Sequence, residues 1–232
     1  HYTAEPALFD VHRVEDDLSD ALKRRVNLKS GGYLIIDQTE AMTTIDVNTG
    51  SFVGGRSLED TVYKTNLEAT HAIARQLRLR NLGGIIILDF IDMLEQEHKD
   101  DVLSSLQQQL TEDYAKTNIT QVSELGLVEM TRKRTRESLG QQLCEPCATC
   151  EGRGFVKTAE TVCFEIFREI MRCARTYNSP KKFMVVAHAA VIDLLLTTEA
   201  DTVADLEYLL GRVITFEVEN LYTQEQYDIV LD

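Results

Sequence analysis

The stretch Gly83-Gly84-Ile85-Ile86-Ile87-Leu88-Asp89 decides the fold, because it places four consecutive apolar residues between a pair of glycines and an aspartate. Such a run is typical of a central strand that is buried on both faces, although a short run does not by itself exclude a helix. Residues 57–80, just upstream, predict a helix that begins at Ser57 and ends at the two glycines. A long helix followed by a buried strand indicates a layered α/β domain.

The rest of the chain continues this alternation of helices and strands. Residues 14–26 predict a short helix, and residues 33–36 and 42–47 predict two strands of a hairpin. Further helices are expected at 95–112, 158–176 and 189–210, and further strands at 119–123, 127–131, 183–187, 212–218 and 226–231. Residues 144–154 hold too little apolar material for a packed core, so we expect a boundary there between the layered α/β domain and a small α+β domain.

The composition is that of an ordinary globular protein. The chain has 232 residues, of which 44% are hydrophobic and 27% charged, and its apolar runs are far shorter than the ~20 residues of a membrane-spanning helix. Its first residues show neither an initiator methionine nor a signal pattern, so we interpret the chain as a fragment. The net charge of −14 argues at first sight against a nucleic-acid partner, but residues 190–232 carry ten of the acids and a single base.

Two predicted strands end in acidic and polar residues that could hold a metal ion. Because side chains alternate along a strand, Asp46 and Asn48 should point to one face, whereas Asp89 and Asp92 should point to opposite faces if their strand continues. Carboxylates at neighbouring strand ends can share a cation, and oxygen ligands with open positions suit Mg²⁺. Spacing alone favours the simpler interpretation, in which each aspartate caps a strand or a turn.

A basic run follows the predicted strand at 127–131. Its four positive charges, within five residues, are Arg132, Lys133, Arg134 and Arg136. On most soluble proteins such a run forms a solvated face. Beside a pair of carboxylates, however, it would attract a phosphodiester backbone and stabilise the charge that develops during cleavage. A second basic group, which we expect to form a solvated flank of the long helix, comprises Arg75, Arg78 and Arg80.

Three of the five cysteines lie in the stretch Cys144-Glu-Pro-Cys147-Ala-Thr-Cys150-Glu-Gly-Arg-Gly154. Two thiolates at Cys-x-x-Cys spacing, followed by glycines that permit a tight turn, are typical of half of a tetrahedral zinc site. The remaining ligands could come from the first cysteine of the stretch, from Cys163 or Cys173, or from the same pair in a second copy. Cys163 and Cys173 are expected to be core residues of a helix. A redox pair is the alternative, which the glycines disfavour.

Six segments of the chain stand out together by their order and spacing. They are Thr44-Ile45-Asp46-Val47-Asn48-Thr49-Gly50, Asn66-Leu67-Glu68-Ala69, Gln76-Leu77-Arg78-Leu79-Arg80-Asn81-Leu82-Gly83-Gly84, Asp89-Phe90-Ile91-Asp92-Met93, Gly126-Leu127-Val128-Glu129-Met130-Thr131-Arg132 and the Cys-x-x-Cys pair. This set resembles the catalytic half of the ribonuclease E/G family, over nearly the whole chain. Residues 131–139 and the additional Cys144 are closer to the ribonuclease G branch of that family than to the ribonuclease E branch.

The resemblance implies an activity and its site. Members of the family are endoribonucleases specific for single-stranded RNA, in which two aspartates of a DNase I-like subdomain hold a Mg²⁺ ion. These aspartates match Asp46 and Asp89, and a neighbouring family asparagine matches Asn48. Water activated by the metal attacks the scissile phosphate and leaves a 5′-phosphate and a 3′-hydroxyl. From their positions we interpret Arg132 or Arg134 as contacting the RNA backbone.

The resemblance also implies a domain arrangement and a partner. Residues 1–22 would be the end of an RNase H-like subdomain, 23–143 the DNase I-like catalytic subdomain, 144–157 the zinc link and 158–232 a small dimerisation domain. The zinc link of the family joins two protomers, and its cysteines match Cys147 and Cys150. A structural Zn²⁺ shared within a homodimer or homotetramer is therefore expected. The S1 domain and the pocket for a 5′-monophosphate end, both found in the family, have no counterpart in this sequence.

Taken together, the sequence predicts a Mg²⁺-dependent endoribonuclease core of α/β class that is linked to a second copy through zinc. The resemblance implies single-stranded RNA as the substrate, ribosomal RNA maturation and messenger RNA decay as the processes, and a cytoplasmic location without a membrane partner. The alternative is a zinc-linked oligomerisation module that has no activity of its own in this fragment. In that case the acidic C-terminal domain would be an interaction surface. Negative charge repels RNA at long range, and this repulsion favours the alternative for the isolated fragment.

Overall fold

The computed structural model of the chain describes residues 2–3, 5–50, 58–123, 125–176 and 182–231. Its contacts divide it into two compact units, His1–Glu145 and Pro146–Asp232, each with its own hydrophobic core. The boundary falls inside the cysteine-rich stretch, where the sequence is poor in apolar residues. No helix in the described ranges is long and apolar enough to cross a bilayer.

The first unit is built on a six-stranded sheet. Its strands are β1 (Arg25–Asn27), β2 (Tyr33–Gln38), β3 (Met42–Asn48), β4 (Gly84–Asp89), β5 (Thr117–Val122) and β6 (Leu127–Arg132). Its helices are α1 (Leu8–Val11), α2 (Val14–Leu22), α3 (Leu58–Leu79), α4 (Gln96–Leu110) and α5 (Leu139–Leu143). The strand order is β1-β2-β3-β4-β6-β5. Among the described pairings of this sheet, β3 with β4 is parallel and the others are antiparallel, and β2 and β3 form the predicted hairpin.

Strand β4 lies in the middle of the sheet but is buried on one face only. Ile86 and Leu88 are completely buried against side chains of α3 and α4, whereas Ile85 is about half exposed and Ile87 is partly exposed. The prediction of a strand buried on both faces is therefore wrong within the described residues. The two long helices pack on the same side of the sheet, so among the described residues these helices leave the other face, which carries the exposed ends of β3 and β4, uncovered.

Helix α3 lies between β3 and β4 in the chain, as a parallel pair requires. The sequence predicted a helix over 57–80, and the structure gives Leu58–Leu79, with the predicted N-cap Ser57 lying outside the described residues. Asn81 follows the helix in the left-handed conformation, with a φ of 49°. The helix thus stops before it reaches the glycine pair. The Asn81 side chain fixes this end, because it donates to the carbonyl of Arg136 and accepts a hydrogen bond from Arg132, the last residue of β6.

The three arginines near the end of α3 do not share one environment. Arg75 is exposed and pairs with Asp17, as a solvated flank requires. Arg80 is only 7% exposed, and its Nε donates a hydrogen bond of 2.7 Å to Gln76 Oε1. Burial lowers the pKa of the Arg80 guanidinium, so the prediction of a solvated flank is wrong for this residue.

The second unit combines a three-stranded sheet with three helices. Its strands are β7 (Lys182–Ala187), β8 (Val213–Val218) and β9 (Tyr227–Leu231), in the order β8-β7-β9, and its helices are α6 (Ala159–Thr176), α7 (Ala189–Leu196) and α8 (Ala200–Leu210). The helical region predicted at 189–210 is thus two helices. Cys163 and Cys173 lie in the core as predicted, and burial raises the pKa of the Cys163 thiol to about 11. Both units confirm a mixed α/β class.

Candidate functional site

The parallel register of β3 and β4 brings two predicted site residues together. Asp46 lies directly opposite Asp89 across this strand pair. Both side chains are exposed, while Ile45 and Leu88, on the other face of the same strands, are completely buried. Because residues paired in register point to the same side of a sheet, the two carboxylates face solvent together at the carboxyl ends of their strands. The structure therefore provides the proximity that the sequence could only suggest.

Asn48 completes the group on β3. It lies two residues after Asp46 on the same face, and its Nδ2 donates a hydrogen bond of 2.9 Å to Asp46 Oδ2. The carboxamide therefore restricts the rotation of the Asp46 carboxylate. This contact gives Asn48 a direct role in orienting one of the two acids.

The electrostatics of the site disfavour two unshielded negative charges. The pKa of the Asp89 carboxyl lies above its ordinary value. Partial loss of hydration is the larger cause, and the negative charges of Asp46 and Asp92 add to it. Strand β4 ends at Asp89, so the alternation that would have turned Asp92 to the opposite face does not continue. A bound cation would relieve this repulsion, because an opposite charge nearby favours the ionised carboxylate.

The donor set fits a magnesium ion that keeps much of its water. The described residues contain no group of three or more His, Cys, Asp or Glu side chains arranged to hold a metal. The chain offers two carboxylates and a neighbouring amide instead. Mg²⁺ commonly binds through one or two carboxylates, retains several waters and contacts substrate phosphates, whereas Ca²⁺ takes six to eight oxygen ligands. The residues present therefore suit Mg²⁺ with open positions for a phosphate.

The basic run does not lie beside these carboxylates. Strand β6 is antiparallel to β4, so Leu127 pairs with Asp89 while Arg132 pairs with Gly84 at the opposite end. Gly84 and Asp89 are five residue steps apart along the strand, a distance of about 17 Å. The prediction of a cation cluster next to the carboxylate pair is wrong, because the direction of β6 carries its last residue away from that edge.

Arg132 is a buried structural residue. Its guanidinium binds the Asp113 carboxylate through two hydrogen bonds, of 2.7 Å from Nε and 3.0 Å from Nη2, and its Nη1 donates to the carbonyl of Leu82 at 2.8 Å. The side chains of Arg132 and Asp113 are 5% and 2% exposed. A guanidinium in this position does not support the RNA contact predicted for Arg132, since the phosphate would have to displace a buried carboxylate.

Arg134 remains accessible. Its side chain is exposed, and its Nε donates a hydrogen bond of 3.1 Å to the carbonyl of Gly83. It lines a polar cavity of about 670 Å³ together with Arg136, Ser138 and Gln141. The surface that Arg134 offers to an anion therefore lies at the end of the sheet away from Asp46 and Asp89.

The cysteine pair of the second unit sits in a tight turn. The backbone N–H of Glu151 donates to the carbonyl of Cys147 at 2.7 Å, and Gly152 has a φ of 86°, which few residues other than glycine adopt. The N–H groups of Cys150 and Thr149 and the Cys150 thiol lower the pKa of the Cys147 thiol. Zinc binds the thiolate form of cysteine, and a lowered pKa makes that form more available at Cys147. This turn therefore fits half of a zinc site.

The other cysteines restrict how a zinc site could be completed. Cys163 and Cys173 are 0% and 8% exposed in the core of the second unit, so they do not offer thiolates to an ion at the exposed Cys147. Cys144 is exposed and belongs to the first unit. Of the ligand sources considered from the sequence, Cys144 and a second copy of the protein remain.

One residue of the site region was missed as a functional candidate. Asn66 belongs to a quoted motif, yet the sequence assigned it no role. It is completely buried on α3 and lies on the same helical stripe as Val62, Ala69 and Ile73. A polar residue at an apolar position of a helix is the signal that could have identified it, because a buried amide requires hydrogen-bond partners.

Comparison with known proteins places these features in one family. The sequence profile described as Ribonuclease E/G family matches residues 1–135, and the profile described as RNase E/G, Thioredoxin-like domain matches residues 146–231. The chain is 57% identical to Ribonuclease G of Escherichia coli (strain K12) over 231 residues, which cover 100% of the chain and 47% of that protein. It is 54% identical to Ribonuclease G of Haemophilus influenzae over 99% of its length, covering 47% of that relative.

A more distant similarity connects the chain to the other branch of the family. It is 40% identical to Ribonuclease E of Escherichia coli (strain K12) over 185 residues, which cover 80% of the chain and 17% of that protein. The chain thus spans about half the length of the Ribonuclease G proteins and a smaller part of Ribonuclease E.

Proposed function

The chain belongs to the ribonuclease E/G family, and from that premise we propose that it forms the metal-binding core of an endoribonuclease that cleaves single-stranded RNA. The observation that carries the proposal is the register of β3 and β4, which sets Asp46 opposite Asp89 on the open face of the sheet. The negative charge of Asp46 contributes to the raised pKa of the Asp89 carboxyl, and a bound cation would relieve this repulsion.

We assign each site residue one task. Asp46 and Asp89 would hold Mg²⁺, and Asn48 would keep the Asp46 carboxylate in the orientation that binding requires. When bound, Mg²⁺ supplies a lowered pKa of coordinated water and neutralisation of the charge that develops on the phosphate. The open positions suggested by the small ligand set would leave room for the RNA phosphate.

The reaction is a hydrolysis of the RNA backbone. Water adds to the phosphorus, the bond between phosphorus and the 3′ oxygen breaks, and that oxygen takes a proton. The products carry a 5′-phosphate and a 3′-hydroxyl. Asp46 and Asp89 contribute by position and charge, and neither carboxylate is consumed.

We propose that the RNA backbone also contacts Arg134, which is exposed and whose guanidinium has donors beyond its bond to Gly83. This contact would lie about 17 Å from the carboxylates, because the two sites are at opposite ends of β4. Arg134 would thus hold RNA some nucleotides away from the scissile phosphate. Arg132 would act only on the stability of the sheet end.

We further propose that Cys147 and Cys150 bind a structural Zn²⁺ together with the same pair of a second copy. The lowered pKa of Cys147 supports a thiolate ligand, and the burial of Cys163 and Cys173 removes two competitors. Two copies supply the four ligands of a closed tetrahedral site. This link would make the protein a homodimer or a homotetramer. From its similarity to the family we also propose that it acts in the cytoplasm, in ribosomal RNA maturation and messenger RNA decay.

The experiment that tests the activity compares cleavage of a 5′-monophosphorylated single-stranded RNA by the wild-type protein and by Asp46→Asn and Asp89→Asn variants. Each variant should lose at least about 100-fold in rate, because metal catalysis supplies several kcal/mol and each 1.4 kcal/mol is a factor of ten. Glu129→Gln is the matched control, since Glu129 is an exposed acid on β6 facing the same open side.

Undiminished cleavage by either aspartate variant would remove the proposed metal site. In that case the zinc-linked oligomerisation module becomes the better interpretation of this chain, because its exposed cysteine turn stands independently of the carboxylates.

A further inference from the structure

Helix α3 makes an unusual contact with the chain segment that follows Asp89. Asn66 is completely buried, and its Nδ2 donates a hydrogen bond of 2.8 Å to the carbonyl of Ile91. The backbone N–H of Ile91 in turn donates to Asn66 Oδ1 at 3.1 Å. The Asn66 carboxamide therefore binds both the N–H and the carbonyl of the Ile91 backbone. Only one orientation of the amide allows both bonds.

The position of Ile91 explains why this contact bears on the metal site. Ile91 lies two residues after Asp89 and directly before Asp92. Strand β4 ends at Asp89, so the ladder of the sheet no longer fixes the backbone beyond it. A second bond from the same helix, Glu59 Oε1 accepting the N–H of Leu94 at 3.0 Å, fixes the far end of this segment.

Helix α3 also fixes a second segment, which lies on the β2 side of β3, away from β4. The carboxylate of Glu68 accepts the backbone N–H groups of Lys29 at 2.6 Å and Ser30 at 3.1 Å. These residues form the turn that leads into β2, and the turn packs tightly against β3. A Cβ on Gly32 would lie 2.7 Å from the carbonyl oxygen of Asn48, so backbone contacts backbone there.

We propose that Asn66 and Glu68 are positioning residues that hold the two segments flanking the carboxylate pair at the spacing a divalent cation requires. Asn66 acts through Ile91 on the end of β4, and Glu68 acts through the turn at Lys29 on the end of β3. Neither side chain touches the cation or the RNA. The inference rests on the proposed function, since it concerns the same metal site.

The reason for expecting an effect on metal affinity is geometric. Asp46 and Asp89 lie on separate strands, and each sits at or near the last residue of its strand. Mg²⁺ requires nearly ideal octahedral geometry, so small shifts between two ligands weaken binding. Removing the groups that orient metal ligands costs 10- to 100-fold in affinity in known sites.

The test measures binding of Mn²⁺, used in place of Mg²⁺, to the 232-residue chain by electron paramagnetic resonance. Asn66→Ala should weaken Mn²⁺ binding roughly ten-fold, the lower end of the known range. Thr70→Ala is the matched control, because Thr70 is also completely buried on α3 and also makes two side-chain hydrogen bonds, to Leu67 and to Ser105, away from the site. Its Mn²⁺ affinity should change by less than about two-fold.

A second variant and a second measurement separate positioning from simple loss of stability. Glu68→Ala removes a partly exposed side chain and should also weaken Mn²⁺ binding several-fold in a folded protein. Amide hydrogen exchange should show faster exchange at Ile91 in Asn66→Ala, and at Lys29 and Ser30 in Glu68→Ala, than in the control.

The outcomes distinguish this inference from the proposed function. Mn²⁺ affinities of Asn66→Ala and Glu68→Ala that match that of Thr70→Ala, with normal binding by the unchanged chain, would overturn the positioning role alone. Absence of Mn²⁺ binding by the unchanged chain would overturn the proposed metal site and, with it, the inference.

Discussion

At the scale of single residues, Asp89 has opposite effects on folding and on cation binding. Its raised pKa shows that its ionised form is held less favourably in the native chain than in water. The same negative potential is what attracts a divalent cation. Asp89 should therefore reduce the stability of the metal-free protein, while the proposed metal site depends on its charge.

The sign of this effect gives a prediction. The folded pKa of Asp89 lies above the ordinary value of about 3.9, so the native state loses stability as the pH rises through the interval between the two values. At pH 7 without metal, Asp89→Asn should therefore raise the free energy of unfolding, by less than about 1 kcal/mol because solvent screens the exposed carboxyl. Urea unfolding in the presence of a chelator measures the change.

The same measurement at pH 3 is the control for this prediction. There the wild-type carboxyl is protonated in both states, so the stabilisation by Asp89→Asn should disappear. A variant that is less stable than the wild type at pH 7 would contradict the assignment of mutual repulsion between Asp89 and its acidic neighbours.

Their places at strand ends made Asp46, Asn48 and Asp89 candidates, but spacing alone favoured turn caps, and only the match to a known family gave them their proposed role. Sequence reasoning missed the role of Asn66, since the partner of its carboxamide is a backbone 25 residues away. It also assigned Arg132 to RNA binding, because no local pattern shows that the folded chain buries this arginine against Asp113. Contacts between distant segments are not encoded in any local pattern.

At the scale of secondary-structure elements, the direction of each strand decides what the site contains. Strands β3 and β4 are parallel, so their polar carboxyl ends meet, whereas β6 is antiparallel to β4 and carries the basic run to the other edge. The sequence pattern predicted the ends of these three strands to within one residue, but it gives no strand direction. The separation of the acids from the arginines was therefore not available from the sequence.

The buried end of β6 gives a prediction at this scale. Arg132→Met should lower the free energy of unfolding by about 3–5 kcal/mol, because it leaves the buried Asp113 carboxylate without its partner. Arg134→Met, two residues later and exposed, is the matched control and should cost less than about 1 kcal/mol. Chemical denaturation of both variants provides the comparison. Equal losses for the two variants would argue against a structural role confined to Arg132.

At the scale of the whole molecule, the chain combines two units with separate cores and separate chemistry. The first unit carries the carboxylate pair, and the second carries the Cys147-x-x-Cys150 turn and matches the profile of a thioredoxin-like domain. Composition alone predicted a boundary within residues 144–154, because a stretch of cysteine, proline and glycine cannot form a core. Metal binding at one unit and assembly through the other can therefore be tested by independent substitutions.

The proposed assembly predicts how the mass and zinc content respond to cysteine substitutions. Replacing Cys147 and Cys150 together by serine should remove zinc and reduce the particle to a smaller oligomer, because two ligands from each copy are required. Cys144→Ser should change neither quantity, since Cys144 is not a ligand in this account. Light scattering and metal analysis of the same samples provide both values.

Two results would contradict the zinc link between copies. Unchanged mass and zinc content in the double variant would exclude the site altogether. Loss of zinc in Cys144→Ser would instead show that Cys144 is a ligand, which contradicts a site made only of the Cys147 and Cys150 pairs.

Anomalous diffraction of Mn²⁺ in crystals of this chain tests the proposed metal site most directly. We expect a manganese peak between the carboxylates of Asp46 and Asp89, about 2 Å from an oxygen of each. A map with no peak between these carboxylates, or with manganese bound at another site only, would contradict it.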